Sequence, residues 1–169
     1  MGHWITRLLK HRRLDETDAQ RALGPGALQR IEARVAASEA KHSGEIRVCV
    51  EAGLPLSYLR RNATPRERAV AMFGKLRVWD TEHNNGVLIY LLLAEHSIEI
   101  VADRGLHRQV DNFVWQRIMA AMQVAFKGER FEDGLIQAID AVDGLLTQHF
   151  ALAPGAVNPN ELPDAPVLR

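Results

Sequence analysis

Apolar positions in this chain recur at two spacings, and the switching between them describes an α/β architecture. Leu28, Ile31 and Val35 form one stripe with Glu32, Arg34 and Glu39 off it, so residues 27–40 predict an amphipathic helix ending near "KHSG". "EIRVCVE", residues 45–51, alternates Ile46, Val48 and Val50 with Glu45, Arg47 and Cys49, which is strand periodicity. "GLPLSYLRRNA" reads as a loop. In "TPRE", Thr64 is placed to cap a helix, Pro65 takes the first helical position and Glu67 completes a capping box. Ala69, Val70, Phe73 and Leu76 form the buried face of that helix, which should end near Arg77. "GVLIYLLLA" follows with little polar interruption, the pattern of a strand covered on both faces.

"EH" is a tight turn into "SIEIVAD", so residues 86–102 predict a hairpin. The strand, helix and strand over residues 45–94 predict a right-handed parallel crossover. Gly86 is expected to be small because the chain turns sharply there into the buried strand. Two amphipathic helices complete the body. One covers about residues 110–126 with Val110, Phe113, Val114, Ile118, Met122 and Phe126 inward. The other covers about 132–149 with Leu135, Ile136, Ile139, Val142 and Leu146 inward. Trp115 reads as core filling. These elements predict a three-layer α/β/α sandwich with a central mixed sheet and helices on both faces.

The two ends break this pattern. Trp4, Ile5, Leu8 and Leu9 recur at helical spacing beside Arg7, Lys10, Arg12 and Arg13, so residues 3–13 predict a basic amphipathic helix, followed by the break "LGPG". Such a helix can dock on its own domain, lie on an anionic membrane or enter a partner's groove. After Phe150, "PGAVNPNELPDAPVLR" holds four of the seven prolines and no periodicity, which reads as an extended, mobile tail. The expected organisation is therefore a basic segment over 1–24, an α/β domain over 25–150 and a flexible tail over 151–169.

Lys and Arg together number 21, as do Asp and Glu, so no global basic excess directs the chain to nucleic acid. The single Cys49 lies in an apolar strand and is expected to be buried and inert. The N-terminus lacks the pattern of a secretory signal, and the longest apolar run is far short of the ~20 residues that span a bilayer. A cytoplasmic protein, peripheral at the inner face of the membrane, is the expectation. GxGxxG, Walker-type, GxSxG and HExxH signatures are absent.

"SGEIRVCV", "NNGVLIYLLLAEHSIEIVADRGL" and "FKGERFEDGLIQAI" occur in that order, and together they resemble the TPM domain family over about residues 25–150. The family is named for a thylakoid-lumen protein, a photosystem-repair protein and an acetylcholine-receptor modulator. The resemblance implies a central mixed sheet between helices, a phosphatase label, and binding of Ca²⁺ or Mg²⁺ in some members. Most bacterial members are exported and membrane-anchored, which this chain does not resemble. The family's usual D-N-G is here Asn84-Asn85-Gly86, an amide in place of an acid that could ligand Ca²⁺.

Ca²⁺ and Mg²⁺ take several hard oxygens from carboxylates, amides and carbonyls on a loop. "DTEHNNG" enters the amino end of its strand, and the antiparallel partner returns "ADRGL" to the same edge. Asp80, Glu82, Asn84 and Asp103 are therefore the candidate metal-binding oxygens, and Arg104 is a candidate anion clamp. The alternative is a simple turn in which Asp80 caps or pairs with a basic neighbour. His83 has no second His or Cys at zinc-ligand spacing. No DxDx[TV]-like or CxxxxxR-like nucleophile is present, so the catalytic residue of a phosphatase is unassigned. Two functions follow. One is a non-enzymatic accessory or assembly factor for a membrane-associated complex, contacting a protein partner or membrane through Trp4, Arg7, Lys10, Arg12, Arg13 and the tail. The other is a metal-assisted phosphomonoesterase using Asp80, Glu82 and Asp103.

Overall fold

The computed structural model describes residues 2–169, with side chains from Ile5 onward. Eleven residues without an acid form α1 (Gly2–Arg12), and Asp15 starts α2 (Glu16–Leu23) through a reciprocal capping box with Asp18. The chain continues through α3 (Ala27–Glu39), β1 (Glu45–Glu51), α4 (Leu56–Arg60), α5 (Pro65–Lys75) and β2 (Gly86–Leu92). It then forms β3 (Ser97–Ala102), α6 (Arg104–His107), α7 (Asn112–Lys127), α8 (Phe131–Phe150) and β4 (Val167–Leu168). The capping box of α5 forms as "TPRE" predicts, with Pro65 at the helix start.

The sheet order is β3-β2-β1-β4. β1 pairs parallel with β2 in the register Glu45 to Gly86 through Glu51 to Leu92, and β2 pairs antiparallel with β3. The sheet is mixed and the hairpin is present, closed by a 3₁₀ turn over Leu93–Glu95 with His96 in the left-handed region. On one face Ile46, Val48, Val50, Ile89, Leu91 and Ile100 pack with α2, α3, α7 and α8. On the other, Cys49, Leu88, Tyr90 and Leu92 pack with Ala69 and Met72 of α5 and with Leu162. This is the α/β/α sandwich, with its heavier helical layer on the first face.

One charged network crosses the second face. Arg68 of α5 donates from Nε to Glu51 Oε2 at 2.8 Å and from Nη2 to Oε1 at 2.6 Å, and the Tyr90 hydroxyl donates to Oε2 at 2.6 Å. All three side chains are buried. The Tyr58 ring lies 4.9 Å from the Arg68 guanidinium. Both carboxylate oxygens are thus hydrogen-bonded, the condition under which a buried charge is tolerated.

The tail is extended and hydrogen-bonded to the body: β4 adds to β1 at Cys49 and Val50, Arg169 N donates to Val50 O, and Arg47 donates to the carbonyls of Pro163 and Ala165. Backbone pairing and these side-chain bonds replace the apolar periodicity that the tail lacks. Within the N-terminal segment, Ala19 and Leu23 of α2 enter the main core. "GLPLSYLRRNA" contains the short helix α4. Val70 is 51% and Phe113 63% exposed, although both are apolar at helical spacing. α5 is covered on its sheet side alone, and Phe113 lies in the first turn of α7, near Arg117 rather than the core.

Gly86 begins β2 where Val78 crosses it. A Cβ there would lie 2.0 Å from the Val78 carbonyl oxygen, and the constraint is this approach rather than a left-handed backbone. Replacing Gly86 with Val is expected to destabilise the fold by on the order of 1–3 kcal/mol. Denaturant midpoints of the parent and the variant check this.

Candidate functional site

Glu95, the last residue of the 3₁₀ turn, fixes the N-terminal helix. Arg7 Nε donates to Glu95 Oε1 at 2.8 Å, and its other nitrogens donate to Asn62 Oδ1 at 2.9 Å and to the Ala63 carbonyl at 2.7 Å. His11 Nδ1 accepts the Leu54 N–H at 2.9 Å, so its proton belongs on Nε2, which lies 2.9 Å from Glu95 Oε1. Bonds from His11 and Arg7 hold the Glu95 carboxyl below its ordinary range. Gly53 permits the docking, because a Cβ there would lie 2.4 Å from the His11 carbonyl oxygen. Of the predicted contact residues, Arg7 is engaged inward, whereas Lys10, Arg12 and Arg13 remain exposed beside Ile5 and Leu9. The Trp4 side chain lies outside the described residues.

The loop "DTEHNNG" is held by its own backbone and by the strap that ends the chain. Asn84 N donates to the Thr81 carbonyl, Asn85 N donates to Thr81 Oγ1 at 3.1 Å, and the Glu82 N–H is received by the Glu161 carboxylate at 3.0 Å. Asn84 takes φ 52°, a conformation Asn tolerates. The hairpin does bring "ADRGL" to this loop. Arg104 Nε and Nη2 donate to Asn84 Oδ1 at 3.2 and 3.0 Å, and the Gly105 N–H donates to the Asn84 carbonyl at 2.8 Å. Asp103 caps α6, its Oδ1 accepting the Arg104 N–H at 2.7 Å, while its buried Oδ2 has no partner.

Asn84, Asp103 and Arg104 therefore meet, but the four candidate oxygens do not. Asp80 lies 3.9 Å from Arg77, and Glu82 is exposed. The Asn84 amide oxygen already receives a guanidinium, leaving Asp103 Oδ2 as the one free buried carboxylate oxygen among the four. That set does not fit Ca²⁺ or Mg²⁺, which need several oxygens together. Among the described residues, no group of three or more His, Cys, Asp or Glu is placed to hold a metal.

A second polar cluster lies under the strap. Glu39 ends α3 only 4% exposed, its Oε1 accepting the Ile46 N–H at 2.7 Å. Glu45 Oε2 accepts the Leu162 N–H at 3.0 Å. Glu39 Oε2, Glu45 Oε1, Arg47 Nε and Asp164 Oδ1 are buried without hydrogen-bond partners. Burial lifts the Glu39 carboxyl to about 9, and the negative charges of Glu45 and Asp164 act in the same direction, against the Ile46 N–H. Burial also raises Glu45, opposed by the N–H groups of the strap. A protonated Glu39 can donate to Asp164, giving both orphaned oxygens a partner. Helical spacing puts Glu39 off the apolar stripe and so in water; only the return of the strap, more than a hundred residues later, buries it.

Cys49 is buried and its thiol is pushed up to about 12 by burial and by Glu51, as an inert packing residue requires. Among the described residues, no helix is long and apolar enough to cross a membrane.

Residues 17–145 match the TPM domain. Among solved structures, the BA42 protein of the psychrophilic bacterium Bizionia argentinensis is 27% identical, with 83% of this chain and 91% of that one covered and a TM-score of 0.72. The N-terminal domain of a P. gingivalis protein is 18% identical over 82% of this chain and 97% of that one, with a TM-score of 0.60, and shows the shared fold alone. No curated protein matches the chain.

Because Glu39 is raised from 4.5 to about 9, the folded protein holds a proton there that the unfolded chain releases. Its stabilising contribution is complete below about pH 4.5 and is lost as pH rises to about 9. Glu39→Gln, which stays neutral, is expected to gain stability relative to the parent steadily across that window. Denaturant midpoints at several pH values measure the difference, and parallel curves would refute the assignment.

Proposed function

We propose, for a chain that belongs to the TPM domain family, the role of a non-enzymatic accessory domain assisting a membrane-associated assembly, held at an anionic lipid surface by the outer face of α1. The observation that carries this reading is the two-sidedness of that helix. Arg7 and His11 face the body and are bound to Glu95. Ile5 and Leu9, one turn apart, are 46% and 49% exposed, with Lys10, Arg12 and Arg13 exposed around them. An apolar pair flanked by cations matches a surface of acyl chains and anionic headgroups. The docking to Glu95 presents the helix already folded, so membrane contact requires no separate ordering of this segment.

Flotation of the full chain with phosphatidylcholine vesicles, with and without phosphatidylserine, tests the reading. Binding is expected with the anionic lipid and is expected to fall roughly thirtyfold in Arg12→Ser/Arg13→Ser, at about 1 kcal/mol per basic residue. Ile5→Asp/Leu9→Asp should abolish it while leaving the melting temperature close to that of the parent, since both side chains are exposed. Absence of flotation, or binding indifferent to both double variants, overturns the proposal.

A further inference from the structure

Strand β3 ends the sheet on one side, and a cavity of about 340 Å³ lies against it, lined by Arg66, Glu99, Ile100, Ala102, Trp115 and Met119 among others. The Asp103 N–H points inward, to the Gly86 carbonyl, whereas the Ile100 carbonyl turns outward and accepts from Arg66 Nη1 at 2.6 Å. The alternation of an antiparallel ladder therefore directs the backbone groups of Ile98, Ile100 and Ala102 away from β2. Arg66 takes one position that the N–H of a neighbouring strand would occupy. A second donor waits close by: Trp115 is 7% exposed, lines the cavity, and its indole N–H has no hydrogen-bond partner. That nitrogen is itself buried, and an acceptor reaching it from the cavity would relieve the cost of leaving it unpaired.

The chemistry of this cleft defines its occupant. The outward-facing residues alternate along β3 from Ile98 to Ala102 and match roughly 13 Å of extended chain at ~3.3 Å per residue. Met119 and the Trp115 ring offer an apolar floor, Arg66 gives the lining a positive charge, and exposed Arg108 follows just beyond the lining residue His107. Glu99 is the lining's acid; it lies 3.6 Å from Arg66, and burial raises it toward its neutral form. We propose that a short, extended, acidic peptide segment of a partner protein adds to the outer edge of β3, with a peptide carbonyl on Trp115 Nε1 and an apolar side chain over Met119. Backbone pairing supplies the affinity in this mode of recognition and the pocket supplies the selectivity.

The test is a titration of the ¹⁵N-labelled full chain with a pool of short peptides that alternate Glu with Val, Ile, Leu or Phe. Saturable shifts are expected at the amides of Ile98, Ile100 and Ala102 and at the Trp115 indole N–H. The same peptides N-methylated at alternate residues, which cannot pair as a strand, should lose binding. Trp115→Phe keeps the ring and removes the donor, and should weaken binding roughly fivefold. Should that variant fail to fold, the N-methylated probes still decide the matter. Absence of saturable shifts, binding indifferent to N-methylation, or shifts centred on α1 instead of β3 would each overturn the proposal.

Discussion

A carboxylate taken out of water is tolerated best when each of its oxygens is hydrogen-bonded, and the fold of this chain is organised around one that meets this condition. Glu51 ends β1; its partners are Arg68 on the crossover helix and Tyr90 on the neighbouring strand. The bonds can all form only if β1 and β2 keep their parallel register and α5 lies over that face with Arg68 turned down. Non-directional apolar packing of Met72 and Ala69 would tolerate a rotated or shifted helix; this network does not. Pairing with Glu51 holds the Arg68 guanidinium above its ordinary range, and burial with the Glu51 charge does the same to the Tyr90 hydroxyl. Both groups therefore keep one protonation state while the fold persists.

Similar chemistry attaches the two ends of the chain. Glu95 receives Arg7 and His11 and fixes α1. Glu39 and Glu45 receive backbone N–H groups at β1 and the strap, and Arg47 donates to the strap's carbonyls. The terminal segments contribute apolar side chains such as Leu23 and Leu162 to the two cores, and buried polar groups that would otherwise lack partners help determine where they lie. Surfaces available for contact are what this arrangement leaves over: the outer face of α1, and the edge of β3 that no terminal segment covers. The other edge of the sheet is already partly closed by β4, so the two edges differ because the chain supplies a strand to one of them.

The sheet was legible because its strands announce themselves locally. "GVLIYLLLA" has little polar interruption, and β2 is buried along its whole length. The capping signals at Thr64 and Glu67 are contained in four residues and form as read. What could not be read were the long-range polar pairings. Glu51 lies 17 residues from Arg68, and Glu45 is 117 from Leu162, separations at which spacing carries no signal. The alternation of β1 suggests one wet face, but Arg47 and Glu51 are buried because remote segments meet them. For the loop at Asn84, hairpin logic correctly brought Asp103 and Arg104 beside it. The alternative reading, in which Asp80 pairs with a basic neighbour, agrees with its approach to Arg77, but hairpin logic could not show that Arg104 would take the Asn84 oxygen.

If the Glu51 network is what sets the position of α5, its energetics must show the asymmetry of a buried ion pair. Denaturant unfolding of Arg68→Met, Glu51→Leu and the double variant tests this most directly. Removing either charge alone should cost about 3–5 kcal/mol by stranding the other, and the double variant should recover a large part of that loss. Single variants within about 1 kcal/mol of the parent, or losses that simply add in the double variant, would contradict the account.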